Sequence, residues 1–256
     1  MVAGLSALIW QPLLAAEING LYQASITVTS RDDLREREQA FKTAMRKVLV
    51  KLTGRVDTLD NPIITRALAN AQPESFAYRS TALVPATETQ IPATAASLAI
   101  EVSFSQTQIQ SLLDSAAIPL WPSNRPDTLL WVVVQDESGE RALLGNSGND
   151  MSRSLQTLAT DLGLPLISPI LDLQDQLALR AETLWNMDLD AIRAASSRYQ
   201  TDSILVLKVL RLFGGQVIAR AVYLFRGQPL EVEVFESELP PFLEASINMV
   251  AKELAG

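Results

Sequence analysis

The spacing of apolar residues changes several times along the chain, and each change marks an element. Residues 21–29, LYQASITVT, alternate apolar and polar, which places Tyr22, Ala24, Ile26 and Val28 on one face of a strand. The spacing then lengthens, with Leu34, Phe41, Ala44, Met45, Val48 and Leu52 forming a helical stripe. Ser30 and Asp33 make an S-x-x-D start and Gly54 a stop, predicting one long helix from about Ser30 to Thr53. Basic residues near its end (Arg46, Lys47, Lys51 and Arg55) suit the negative end of the helix dipole. Asn61-Pro62 opens a second helix, a cap followed by proline in the first turn. A strand is predicted around 75–84, and the proline-bearing PATETQIPATAAS reads as a hairpin connection. SLAIEVSFS alternates again with Leu98, Ile100, Val102 and Phe104 inward, and Ser105 with Gln108 starts a helix carrying Ile109, Leu112 and Leu113. The order β-α-α-β-β-α predicts a small α+β sandwich over residues 17–118.

Pro119, Pro122 and Pro126 then interrupt both helix and strand, so residues 119–127 read as a Pro-rich linker. Trp121 within it is expected to pack between two domains, or to serve as a platform for a partner or ligand. TLLWVVVQ is continuously apolar, as in a strand covered on both faces. A helix from Asp150 to the stop at Gly163, a short strand LPLIS and two helical pieces at 171–186 and 188–199 follow. SILVLKVLRLF and QVIARAVYLFRG flank Gly214-Gly215 as a hairpin, and Pro240-Pro241 starts a last helix. Residues 128–256 therefore read as a three-layer α/β domain with a mixed sheet: a parallel core and an antiparallel edge.

Composition narrows the chemistry. The 256 residues are 48% hydrophobic and 20% charged, enough to fill globular cores. A net charge of −8 argues against a nucleic-acid backbone or an anionic lipid surface as partner. With no Cys and no His there is no thiol nucleophile, no Ser-His-Asp triad and no Cys/His zinc site. No glycine-rich phosphate loop, S-x-x-K, G-x-S-x-G or EF-hand pattern is present, and no cofactor is expected. The apolar run from Val2 to Leu14, followed by Ala15-Ala16, resembles the core and cleavage site of a secretory signal, although the first basic residue is Arg31. Residues 1–16 are thus expected to be a signal-peptide remnant, the mature chain exported, periplasmic and without a membrane span. If that run were instead a core helix, the protein would be cytoplasmic.

Candidate chemistry then concentrates in residues 167–179, ISPILDLQDQLAL, where Asp172 and Asp175 sit in an otherwise apolar run. Burying an unpaired carboxylate is costly, so the pair is either chemical or architectural. A metal site would need further oxygen ligands, and none converges by spacing, since Asp188 and Asp190 come more than a dozen residues later. Asp172, after Pro169, is placed to cap a helix, which favours architecture.

GLPLISPILDLQDQLAL, Trp185 and IRAASSRYQTDSILVLKVL, together with the LYQASITVT strand and the helix ending VLVKLTG, resemble an uncharacterised proteobacterial family, domain of unknown function 2066. The second half is loosely similar to the α/β modules of envelope proteins such as the TolB N-terminal domain. The resemblance implies an exported, non-catalytic protein. The chain departs from it at Gln200, where the glycine of a Y-G-x-D turn is expected. Two functions follow as expectations. One is a non-enzymatic interaction or assembly module with an envelope protein partner. The other is a carboxylate-dependent hydrolase acting on an envelope polymer through Asp172 and Asp175. A weaker third is a small-molecule receptor using a cleft near Trp121.

Overall fold

The computed structural model describes residues 16–17, 20–81, 97–145, 149–226 and 229–256. The apolar run at 2–14 and most of the expected hairpin connection at 85–96 lie outside them. Strand β1 (Ala16–Glu17) pairs with a short segment described below.

The first sheet is antiparallel in the order β2 (Gln23–Val28), β4 (Ser97–Ser103), β3 (Ser75–Thr81). Helices α1 (Leu34–Thr53), α2 (Pro62–Ala69) and α3 (Gln106–Ser115) accompany it. Val48, Leu49, Ile64, Ile100, Val102 and Leu113 form their shared core. This is the predicted α+β unit, corrected at its helix starts. Asp33, rather than Ser30, caps α1: its Oδ1 accepts from Arg35 N at 2.9 Å and Glu36 N at 3.1 Å. Glu36 returns to Thr29 N at 2.7 Å and Ser30 N at 3.0 Å. Ionised acceptors meet the positive end of the helix better than a hydroxyl does. Leu34, assigned to the stripe, is 60% exposed, because it stands at the first helical residue and burial begins only at Ala40. Ser105 contributes only its carbonyl to the start of α3, accepting from Ile109 N at 3.0 Å.

The second sheet runs β11 (Leu230–Ser237), β10 (Val217–Leu224), β9 (Ser203–Arg211), β6 (Thr128–Gln135), β7 (Arg141–Leu144). Strand β8 (Leu166–Ile167) lies along the first residues of β6. Pairings of β6 with β8 and with β9 are parallel and the rest antiparallel, a mixed sheet as predicted. Strand β6 is buried on both faces and divides its side chains between two cores. Leu130, Val132 and Val134 share one with α4 (Asp150–Leu162) and α8 (Leu239–Ala255). Leu129, Trp131 and Val133 share the other with a layer made of α5 (Leu173–Ala178), α6 (Ala181–Trp185) and α7 (Leu189–Ser196). The single helix expected over 171–186 is broken at Leu179, whose extended backbone (φ −143°, ψ 107°) turns its side chain into this core.

The stretch between the two sheets carries two buried residues. The backbone N–H of Trp121 donates to Leu52 O at 2.8 Å, and the Arg125 guanidinium lies 3.6 Å from the centre of the Trp121 ring. Strand β5 (Asn124–Arg125) pairs with β1 and delivers Arg125 into the junction with no solvent exposure. There Nη2 donates to Lys51 O at 2.8 Å, Nη1 to Leu162 O at 3.1 Å and Gly163 O at 2.6 Å, and Nε to Pro122 O at 3.0 Å. The charge thus rests on carbonyls at the C-terminal ends of α1 and α4, where helix dipoles are negative. Burial lowers its pKa to about 10, so it stays charged at neutral pH. The glycines ending these helices make the approach possible. Gly54 and Gly163 are left-handed (φ 67° and 62°), and a Cβ would meet Trp121 at 2.8 Å in the first case and Arg125 at 2.6 Å in the second. Lys47 on α1 adds an ion pair to Asp161 on α4 at 2.8 Å.

Gln200 adopts φ 54°, ψ 36°, the left-handed conformation that the expected glycine would take without strain. Gln200→Gly is therefore expected to raise stability by roughly 0.5–1 kcal/mol in urea unfolding, after the greater unfolded-state freedom of glycine is set against the relief. A less stable glycine variant would mean that the Gln200 side chain contributes more than its backbone strain takes away.

Candidate functional site

Residues 168–179 leave the end of β8, turn, and form the short helix α5. Asp172 is the N-cap of α5, its Oδ1 accepting from Asp175 N at 3.0 Å. Asp175, fully buried, answers in reverse: Oδ2 accepts from Leu171 N at 2.9 Å and from the Tyr199 hydroxyl at 2.6 Å. Arg198 closes the cluster, with Nη1 at 2.8 Å from both Asp175 Oδ1 and Asp172 Oδ1, and Nη2 at 3.1 Å from Asp172 Oδ2. The Tyr199 oxygen also accepts from Ile170 N at 2.9 Å. Leu171, between these anchors, is left-handed at φ 55°. A leucine there is strained, and it persists because the surrounding bonds fix it.

The electrostatics follow. The hydrogen bond from Arg198, then the N–H of Asp175, hold the Asp172 carboxyl down at about 2. The same hydrogen bond to Asp172 raises Arg198. Burial first, and the bond to Asp175 second, raise the Tyr199 phenol. A general base works best with a pKa near the operating pH. Asp172 so held is a poor one, and Asp175 is out of reach of solvent. Among the described residues no group of three or more acids is placed to hold a metal ion. Trp121, the other sequence candidate, is not brought to the acids: it belongs to the core on the opposite face of the large sheet.

The residues between the acids do something the sequence did not announce. Ile170, Leu173 and Leu177 are 71%, 71% and 69% exposed, while Leu171, Asp175 and Leu179 point inward. The clamp thus displays an aliphatic ridge rather than burying one. The run contains two interleaved stripes of helical spacing, and only the partner for the acids decides which faces in. That partner, Arg198, lies more than twenty residues downstream. The juxtaposition of Arg198 and Tyr199 was the available signal.

Removing the buried acceptor should loosen the whole segment. Asp175→Ala is expected to lower stability by about 2–4 kcal/mol, since it strands three donors around a buried site. Melts that match the wild type would contradict the clamp. Asp172 gives a pH signature. Its folded pKa lies below the ordinary carboxylate value, so its stabilisation is present above about pH 4 and lost as pH falls toward 2. The difference between wild-type and Asp172→Asn melts should close through that window.

Residues 15–122 match the model of a family described as a domain of unknown function (DUF8605). No curated protein matches the chain. The family match is to an uncharacterised domain and takes in the first sheet, its helices and Trp121, while the ridge and its clamp lie outside it. Among the described residues no helix is long and apolar enough to cross a membrane.

Proposed function

We propose that the protein is a non-enzymatic interaction or assembly module of the cell envelope, docking an apolar face of a protein partner on the ridge Ile170–Leu173–Leu177. The observation carrying this reading is that three large aliphatic side chains of a clamped, strained segment face solvent. Contiguous aliphatic surface held rigid is typical of interaction sites, because little ordering is left to oppose binding. A net charge of −8 favours a protein over an anionic membrane as the covering surface. Export to the periplasm is part of the proposal and rests on the Val2–Leu14 run with Ala15-Ala16. So is the likeness to domain of unknown function 2066 and to TolB N-terminal-like modules, which rests on the motifs quoted above. The hydrolase alternative would need Asp172 and Asp175 free to act, and the bonds from Arg198 and Tyr199 weigh against it.

Photo-crosslinking residues introduced at Leu173 and Leu177 in intact cells test the reading. They should trap one discrete partner. Leu34, exposed and apolar on another element, should not. Equal labelling from Leu34, or none from the ridge, would defeat the proposal.

A further inference from the structure

The core under helices α5–α7 takes in β6, β9 and part of β10 but no residue of β11, whose Glu231, Glu233 and Phe235 are exposed, and a group of cations occupies the margin. Trp185, ending α6, has the Arg141 guanidinium 4.7 Å and the Lys208 ammonium 4.3 Å from its ring centre. Arg141 comes from β7 and orients through a 2.8 Å bond from its Nε to Gln135 Oε1. Lys208, half-buried on β9, makes no hydrogen bond or ion pair among the described residues. Arg220 on β10 lies opposite Lys208 in the register, with one nitrogen 2.6 Å from Glu231 and its buried Nε without a partner. Desolvation first, then the charges of Arg141 and Arg220, lower the Lys208 pKa, with Glu233 opposing. Beyond them Phe235 is 69% exposed on β11. The group sits at the C-terminal ends of the parallel strands β6 and β9, the end of an α/β sheet where ligands gather.

We infer that Arg141 and Lys208, ordered on Trp185 and supported by Arg220, form a binding site for an acidic segment of a partner polypeptide. Among the described residues Arg141 and Lys208 have no ion-pair partner, while Arg220 beside them is paired with Glu231. The first two are held where mutual repulsion exceeds what Glu233 offsets, and an incoming carboxylate relieves it. Stacking on one indole fixes their positions in advance, which lowers the ordering needed on binding. Two features favour a polypeptide over a small anion. The site continues onto the edge strand β11, which exposes Glu231, Glu233 and Phe235 on the same face, and the aromatic Phe235 flanks it there. The inference goes beyond the ridge and stands without it.

The test uses the full chain and a fluorescein-labelled peptide of alternating glutamate and glycine, followed by anisotropy. Saturable binding that weakens with salt is expected. It should fall about tenfold for each of Arg141→Gln and Lys208→Gln and survive Lys208→Arg. Variant melts equal to the wild type establish that the fold is kept, and ridge variants should leave this binding intact. No saturable binding would overturn the inference, as would binding unaffected by either substitution. Inorganic phosphate binding as tightly as the peptide and displacing it would overturn the assignment to a polypeptide.

Discussion

Arg125→Ala is expected to lower the unfolding free energy by about 3–5 kcal/mol, a shift of roughly 10 °C in melting temperature for a chain of this size. The guanidinium is fully buried and serves the carbonyls of Lys51, Pro122, Leu162 and Gly163 while lying flat on Trp121. Alanine would leave those acceptors unsatisfied and open a cavity beneath the indole. Arg125→Lys should recover only a minor part, because one ammonium cannot reproduce the planar fork that reaches both helix ends. Arg125→Met should fare no better, for here the partners are carbonyls, which a thioether leaves unpaired. Urea unfolding followed by tryptophan fluorescence reads all three. An alanine variant within about 1 kcal/mol of the wild type would show that water replaces the guanidinium without loss.

The triple variant Ile170→Gln, Leu173→Gln, Leu177→Gln is expected to behave in the opposite way. Each side chain is about seventy percent exposed, so each change should move stability by no more than about 0.5 kcal/mol. Glutamine and leucine also have similar helix propensities, so α5 should persist. Partner crosslinking, however, should be abolished, because a few residues at the centre of an interface carry most of its energy and all three apolar contacts of the ridge are removed together. Stability and binding separate only if the ridge is a docking surface. A triple variant that melts far below the wild type would instead place these residues in the core.

Much of the fold was legible because its main elements are strongly periodic. The α1 stripe, the unbroken apolar run of β6 and the Gly214-Gly215 hairpin each followed from spacing or turn chemistry. Strands β7 and β11 escaped notice. Arg141–Leu144 is short, and LEVEVFES interleaves acids with its apolar residues, as edge strands facing solvent on one side do. Gln200 was legible in a different sense: the expected glycine marked a left-handed residue, although the residue itself is not glycine. Arg125 was hidden among prolines, since its burial depends on two helix ends remote in sequence. The architectural role of Asp172 could be read from Pro169 and the helix start. The outward ridge could not, because whether Ile170 or Leu171 faces the core depends on Arg198 and Tyr199.

The central claim is that the acids hold the segment and the aliphatic side chains act. Complementation of a deletion strain, scored side by side for Asp172→Asn and for the ridge triple variant, separates the two roles in one assay. Asparagine caps a helix about as well as aspartate, so Asp172→Asn should restore function, while the well-folded ridge variant should fail. A stable Asp172→Asn protein that fails, beside a ridge variant that succeeds, would contradict the account and make the carboxylate the working group.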